Sequence, residues 1–217
     1  MRREIPTPTK RERLPTRDDI LYLADELIRR KGFNAFSYAD ISGVMEIRNS
    51  AVHYHFPTKS ELGQAVVDKE MERLRAYRRR TAGESGEEQL KYLVTVFYRN
   101  SQLDYICLMG SLLPDFATFD SDMQYKVSEM SRIILDWMTD NLERGRGEGK
   151  LTFEGKASDR AALVISTLLS SLLLVRVQGS SIFAQMVDRL LQDLGVDWRV
   201  GDLPEVGWPA PDSPSFT

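Results

Sequence analysis

Between Thr16 and Leu62 apolar residues recur at helical spacing in short segments, several of them opened by a hydroxyl residue with a carboxylate three positions on. Thr16-x-x-Asp19, Ser37-x-x-Asp40 and Thr58-x-x-Glu61 are capping boxes, in which the hydroxyl satisfies one orphan N–H and the carboxylate reaches back to another. The pattern predicts a first helix over about Arg17 to Lys31, with Ile20, Leu23, Ala24, Leu27 and Ile28 on one face and Gly32 as its stop. A second runs from about Tyr38 to Met45 with Ile41, Val44 and Met45 inward. A third runs from about Asn49 to Phe56 with Val52 and Phe56 inward, and Pro57 ends it. The fourth opens after Thr58, buries Leu62, Val66 and Leu74, and ends in Arg78-Arg79-Arg80. Such crowding of short helices around a tight turn is a helix-turn-helix pattern.

Past the break at Gly83 to Gly86 the periodicity remains helical, so the fold class is all-α: an N-terminal three-helix helix-turn-helix domain and a C-terminal helical domain. Leu90, Leu93, Val94, Phe97 and Ser101 mark one helix. Met123, Val127, Met130, Ile134, Trp137 and Leu142 mark a longer one opened by Ser121-x-x-Gln124, with a charged turn at Gly145 to Gly149. Tyr105 to Phe119, interrupted by Pro114, predicts a short or kinked helix. From about Ala157 to Val177 the apolar residues run almost all the way round, which predicts burial on both sides. After Gly179-Ser180-Ser181, a clean stripe continues to about Gly195. This pair suits a two-fold interface in which two copies form a four-helix bundle, through Leu168, Leu172, Val175, Phe183, Met186, Val187, Leu190 and Leu194. Two core helices of a monomer are the alternative. Residues 1–15 read as a flexible basic arm, 16–62 as the helix-turn-helix domain, 63–197 as the second domain with a linking helix over about 59–80, and 198–217 as a loose tail.

Composition changes this picture in one respect. The 217 residues are 42% hydrophobic, enough for a packed core, and the net charge is −3, which taken alone argues against a polyanionic partner. The charge is divided, however, with a basic balance over residues 1–80 and an acidic one from 81 onward. A local field of this kind suits a head that binds a polyanion on a body with another task. One cysteine excludes an internal disulfide, and the N-terminus lacks the form of a signal peptide, so a cytoplasmic location is expected. The charge-free stretch Ala161 to Val175 falls short of the ~20 apolar residues a bilayer requires.

The text RDDILYLADELIRRKGFNAFSYADISGVMEIRNSAVHYHFPTKSELGQAV, from Arg17 to Val66, resembles the tetracycline-repressor (TetR) family of bacterial transcription regulators, with the spacing from KGF through FSYADIS to HYHFPTKSEL in register. About a quarter of the chain carries the resemblance. It implies a homodimer that binds a double-stranded DNA operator of two-fold symmetry and releases it when a small molecule enters the C-terminal domain. It further implies that Ser37, Tyr38 and Lys59 sit against the DNA backbone, that His55 is a phosphate-side histidine, and that Asn49, Ser50, His53 and Tyr54 face the major groove. Geometry agrees with the last assignment, because those four share a helical face that Val52 and Phe56 do not. Asn49 has the chemistry to pair bidentately with adenine. One departure matters: the family usually has Gly in the turn between the second and third helices, where this chain has Glu46. A left-handed Glu46 costs roughly 1–2 kcal/mol, and its carboxylate repels phosphate, which Arg48 offsets.

Other chemistries find little support. His53 and His55 are the only histidines, and on a helix positions i and i+2 point about 200° apart, so they do not share a metal ion. Metal-hydrolase, phosphate-loop and nucleophile-elbow motifs are absent, so no catalytic residue and no cofactor is implied. Phe97, Tyr105, Cys107, Met109, Phe116, Met130 and Trp137 suit an adaptable pocket for an apolar or aromatic effector, although each alone also reads as core. Cys107 lies in ICLMGSLL, similar to a cysteine-bearing segment in one branch of the family, and reads either as a small buried hydrophobe or as a sensor. The leading expectation is a ligand-responsive dimeric repressor. The alternative is a helical protein-interaction or small-molecule-binding module that Glu46 has stopped from reading DNA.

Overall fold

The computed structural model describes residues 16–203, and the expectations for residues 1–15 and 204–217 lie outside them. Helix α1 (Arg17–Lys31) is closed at its start by the expected reciprocal box: the Thr16 hydroxyl accepts from the Asp19 N–H at 3.3 Å, and the Asp19 carboxylate accepts from the Thr16 N–H at 2.6 Å. Gly32, at φ +94°, ends it. In α2 (Tyr38–Val44) the Asp40 carboxylate accepts from both the N–H and the hydroxyl of Ser37, each at 2.8 Å. These bonds hold its carboxyl down to about 2. Helix α3 (Asn49–His55) follows a short turn, and α4 (Lys59–Arg80) opens at Thr58. Here the box is only half closed, because the Glu61 carboxylate takes the Thr58 hydroxyl at 3.2 Å and not its backbone N–H.

Helices α1 to α4 bury Ile20, Ala24, Ile28, Ile41, Val52, Phe56, Leu62 and Val66 together. Burial of each of these side chains larger than Ala24 contributes roughly 1.5–3 kcal/mol, and this core fixes the short α3, which could not persist alone. Val44, expected inward, is instead 65% exposed at the end of α2, because the chain turns away one residue later.

The body consists of α5 (Gly86–Gln102), α6 (Leu108–Leu112) leading into a 3-10 turn (Leu113–Thr118), α7 (Ser121–Gly147), α8 (Ala157–Gln178) and α9 (Ser181–Asp193). Pro114 falls inside the 3-10 turn, which accounts for the kink. The cap of α7 is Asp120, not Ser121: its carboxylate accepts from the Met123 N–H at 2.9 Å. A bond from the Ser60 hydroxyl on α4 and the Met123 bond hold that carboxyl below its usual range. Helix α7 also runs to Gly147, into the expected charged turn.

Two expectations for the C-terminal part are corrected. The apolar residues of α8 and α9 are mostly interior to one chain: Leu168, Leu172, Phe183, Val187, Leu190 and Leu194 are buried against the body, with Val175 and Met186 partly so. What remains open is the opposite face of α8, with Leu163 56% exposed, Leu173 49% and Val177 83%, interleaved with Ser166 and Ser170. Helix α8 is thus long and apolar enough to cross a membrane, yet only a third of its most apolar window is buried in the chain. The residues after Trp198 are not loose as far as Leu203. Trp198 donates to Glu87 at 3.1 Å, and Val200 and Leu203 are buried around a 3-10 turn (Val200–Asp202).

Candidate nucleic-acid interface and pocket

The turn between α2 and α3 keeps its left-handed residue although the residue is not glycine. Glu46 has φ +55°. Around it the Met45 N–H donates to the Ile41 carbonyl and the Ile47 N–H to the Ser42 carbonyl, both at 3.0 Å, the bonding of a Schellman helix end. The hydrogen bonds and the packed helices on either side outweigh a cost of roughly 1–2 kcal/mol. Beyond the turn, α3 is held by Val52 and Phe56 while Asn49, Ser50, His53 and Tyr54 look outward, with Tyr54 83% exposed.

Several side chains do more inside the protein than the sequence suggested. The Asn49 amide oxygen accepts from the Ser42 hydroxyl, tying α3 to α2. One lone pair of that oxygen is thus used inside the fold, while the amide nitrogen keeps both of its N–H donors. Tyr38 is buried and its hydroxyl donates to the Phe56 carbonyl at 2.8 Å, so its side chain is a structural strut rather than a phosphate contact. Burial, and then the charge of Glu61, push that phenol up to about 12. Lys59 folds inward as well: its ammonium donates to the Phe36 carbonyl and lies 4.3 Å from the centroid of the Phe36 ring and 4.8 Å from that of Phe33. Desolvation lowers its pKa. It braces the loop before α2 from the first turn of α4.

The remaining groups stay outward. Ser37 is exposed at the start of α2, engaged only with Asp40. Arg48 is exposed and without an ion-pair partner among the described residues. His53 stands 3.2 Å from the Pro57 carbonyl through Nδ1, and its ring packs against Tyr38, 4.6 Å between centroids. A proton assigned to Nδ1 leaves Nε2 facing outward as an acceptor. His55 is half-buried and lies edge-on to Tyr54. Two further exposed side chains adjoin this face: Val44, and Arg17, whose guanidinium covers the Phe56 ring at 4.7 Å.

Head and body are joined by specific bonds. The Asn34 N–H donates to Asp115 at 2.9 Å and its amide to Thr118, also at 2.9 Å. Arg176 on α8 donates to the carbonyls of Arg29, Arg30 and Asp104 at 3.0, 2.9 and 3.2 Å, closing over the end of α1. At Gly63 on α4 a Cβ would lie 2.6 Å from Phe33 and 3.0 Å from Met123 on α7, so glycine permits this close approach.

A cavity of about 180 Å³ lies between α1, α4, α5, α6 and α7. Six of the seven residues expected to line a pocket do so: Phe97, Tyr105, Cys107, Met109, Met130 and Trp137. Phe116 does not; the 3-10 turn carries it outward, where its ring meets Phe119 at 6.4 Å. Sequence reasoning missed the charged wall that α1 and α4 supply together. Arg29 on α1 is bound by Asp25 at 2.9 Å and by Glu70 of α4 at 3.0 Å, and Arg73 reaches the same two carboxylates. The i,i+4 spacing of Asp25 and Arg29 gave no hint, since it matches an ordinary surface pair. Cys107 caps α6, its sulfur accepting from the Gly110 N–H at 3.4 Å, and burial pushes its thiol up to about 11, partly offset by that bond and by Arg29. It is a neutral thiol at pH 7.

The chain matches no family model. A solved transcriptional regulator of the TetR family from Agrobacterium tumefaciens is 30% identical, superposes with a TM-score of 0.76, and the match covers 82% of this chain and 96% of that one. A TetR transcriptional regulator from Legionella pneumophila is 25% identical with a TM-score of 0.69, over 83% and 97% of the two chains. The Escherichia coli K12 protein NemR, an HTH-type transcriptional repressor, is 21% identical over 174 residues, 76% of this chain and 86% of its own length.

Proposed function

The chain belongs to the TetR family of transcriptional regulators, and from that premise we propose a repressor that holds a palindromic operator as a homodimer and lets go when a small apolar molecule occupies the cavity. The observation that carries the reading is the outer face of α3, where Ser50, His53 and Tyr54 are presented to solvent beside Arg48, which has no ion-pair partner among the described residues, on a helix whose inner face is fixed by Val52 and Phe56. Polar groups held rigidly and turned to solvent are what a base-reading surface needs. The head spans residues 16–62 and the body 63–197, with α4 crossing the boundary.

In this reading Ser50, His53 and Tyr54 reach base edges, with His53 Nε2 accepting from an exocyclic amine and the Asn49 amide nitrogen donating beside them. Val44 is placed to meet a thymine methyl. Arg17, Ser37, Arg48 and His55 contact phosphates, and Tyr38 and Lys59 hold the frame behind them. The partner copy docks on the open stripe of α8, Leu163, Leu173 and Val177. The protein works in the bacterial cytoplasm, where its operator is.

Release follows from where the cavity sits. One end of α4 braces the loop before α2 through Lys59, and farther along Glu70 and Arg73 stand on the cavity wall with Arg29 of α1. A ligand that prefers a wider spacing of these helices shifts the population toward heads that no longer match successive major grooves. A coupling of about 1–3 kcal/mol changes operator affinity some 5–150-fold. The test is selection of bound genomic DNA fragments by the purified protein at two salt concentrations. An enriched palindrome with steep salt dependence is expected. Weak binding without sequence preference would overturn the reading and favour an interaction module.

A further inference from the structure

Among the described residues, the hydrogen bonds from α8 to the head come from one side chain. Arg176, in the last turn of α8, donates to the carbonyls of Arg29 and Arg30 and to that of Asp104, and its Nε lies 3.3 Å from the Asp104 carboxylate. The two α1 carbonyls belong to the end of that helix, where no later N–H of the helix serves them. Asp104 sits at φ +54°, between Leu103 and Tyr105 of the cavity lining. A left-handed residue that is not glycine persists where its surroundings hold it, and Arg176 holds this one at both its carbonyl and its carboxylate.

The other joints between head and body use different elements. Asn34 meets Asp115 and Thr118 of the 3-10 turn, the Phe33 ring meets Phe119 at 5.1 Å, and Gly63 abuts Met123 of α7. None of these involves α8, yet α8 is the helix with the open apolar stripe. Leu173 of that stripe borders the same groove as Arg176, and Val177 is its neighbour in sequence. A second copy seated on Leu173 and Val177 takes water away from the guanidinium, and a charge-assisted hydrogen bond screened from water holds harder. The step from a two-fold axis on α8 to the head is then a single side chain.

An operator of two-fold symmetry reads two things separately. The outer face of α3 reads the bases of a half-site, and the distance and angle between the two heads read the spacing of the half-sites. One base pair inserted at the centre moves the second half-site by about 3.4 Å and turns it by about 35° around the duplex. We infer that Arg176 is the residue that sets which half-site spacing the dimer accepts, by fixing the direction of each head relative to the two-fold axis. This rests on the reading of the chain as a repressor dimerised through the open stripe of α8. Arg176 is a positioning residue: it touches no base and acts through the end of α1.

The experiment uses the full chain and duplexes carrying the palindrome that the unsubstituted protein selects from a random pool, with the centre kept, lengthened or shortened by one base pair. The unsubstituted protein is expected to bind the altered spacings roughly tenfold or more weakly. In Arg176→Met that penalty shrinks to about threefold or less, while the ranking of single-base changes within a half-site stays as it was. A protein that is merely destabilised scales every affinity by its competent fraction and leaves the ratio alone, so the ratio reports orientation. The freed carbonyls lie near the surface and take water in place of the guanidinium, so the variant folds. Asp104→Asn keeps the carbonyl bonds and loses the ion pair, and its penalty should fall between the two. Sedimentation of Leu173→Glu combined with Val177→Glu should give a monomer. A spacing penalty unchanged in both Arg176→Met and Asp104→Asn overturns the inference and leaves the repressor standing, as does an altered half-site ranking. A charged-stripe variant that stays dimeric also overturns it, because the two-fold axis then lies away from α8. If the unsubstituted protein selects no palindrome, the repressor reading falls and the inference with it.

Discussion

The outer face of α3 and the wall of the cavity are both rich in polar groups, and they are built in opposite ways. On α3, Ser50, Tyr54 and the neighbouring Arg48 are exposed, with no side-chain hydrogen bond or ion pair among the described residues, while in the cavity nearly every charge is already matched, with Arg29 held between Asp25 and Glu70. The first surface is ready for a partner that brings its own charge; the second is closed to charge and answers to shape. A surface that binds a polyanion keeps its donors free at small cost because water serves them in the meantime. A partly buried wall has no such reserve, so its charges must be satisfied within the fold. The difference also concerns who supplies the residues: the outer face of α3 is local to one helix and its turn, whereas the cavity wall is shared between head and body.

The largest effect should come from opening the paired wall. Arg29→Met leaves Asp25 and Glu70 without their main cation in a partly buried place, and about 2–4 kcal/mol of stability should be lost, read as a lower urea midpoint. An unchanged midpoint would mean that the wall is as solvated as the α3 face, and the contrast would collapse. Gly63→Ala forces a methyl against Phe33 and Met123, with a cost of roughly 1–3 kcal/mol, and it should alter effector response even where DNA binding of the free protein survives. On the open face the effects should be on recognition, not folding. His53→Ala should change the selected sequence with a discrimination loss of about 1–3 kcal/mol and little change in melting temperature. Lys59→Ala, by contrast, removes an internal brace and should lower the melting temperature; a pure weakening of DNA binding at constant stability would return Lys59 to the phosphate contacts.

Smaller still, Glu46→Gly relieves a left-handed non-glycine residue and should raise stability by about 1 kcal/mol in thermal denaturation without weakening operator binding. A loss of binding would show that the carboxylate itself takes part. The smallest effect concerns pH. The Asp40 carboxyl is held down to about 2 by Ser37, so its folded pKa lies below the ordinary carboxylate value. The stabilisation of the α2 start is therefore complete above about pH 4 and lost as pH falls through 2. Ser37→Ala should move the Asp40 titration upward in a carboxyl-detected NMR experiment; no movement would deny the box.

The parts of this contrast that were legible in the sequence are those with local causes. Helix α1 begins and ends at the residues its capping box and Gly32 announce, and the exposed set on α3 follows from period alone. What was not legible depends on distant partners. Asn49 and Ser42 are joined across a turn, Lys59 meets a carbonyl 23 positions earlier, and Glu70 meets Arg29 from 41 positions away. Periodicity reports that a face is apolar but not whether its own chain or another covers it. Leu168 and Phe183 thus read as interface although they are core, while Leu163 and Val177 went unremarked.

Arg176 gives the open stripe of α8 a further meaning. The same helix that offers Leu163 and Val177 to solvent ends in a guanidinium clasped over the last carbonyls of α1. A rod of 22 residues is about 33 Å long, so a tilt of about 5° around its middle carries the Arg176 end through roughly 1.4 Å. Such a tilt would carry with it the last turn of α1, so the exposed side of α8 and the end of α1 that bears Arg29 are mechanically one piece.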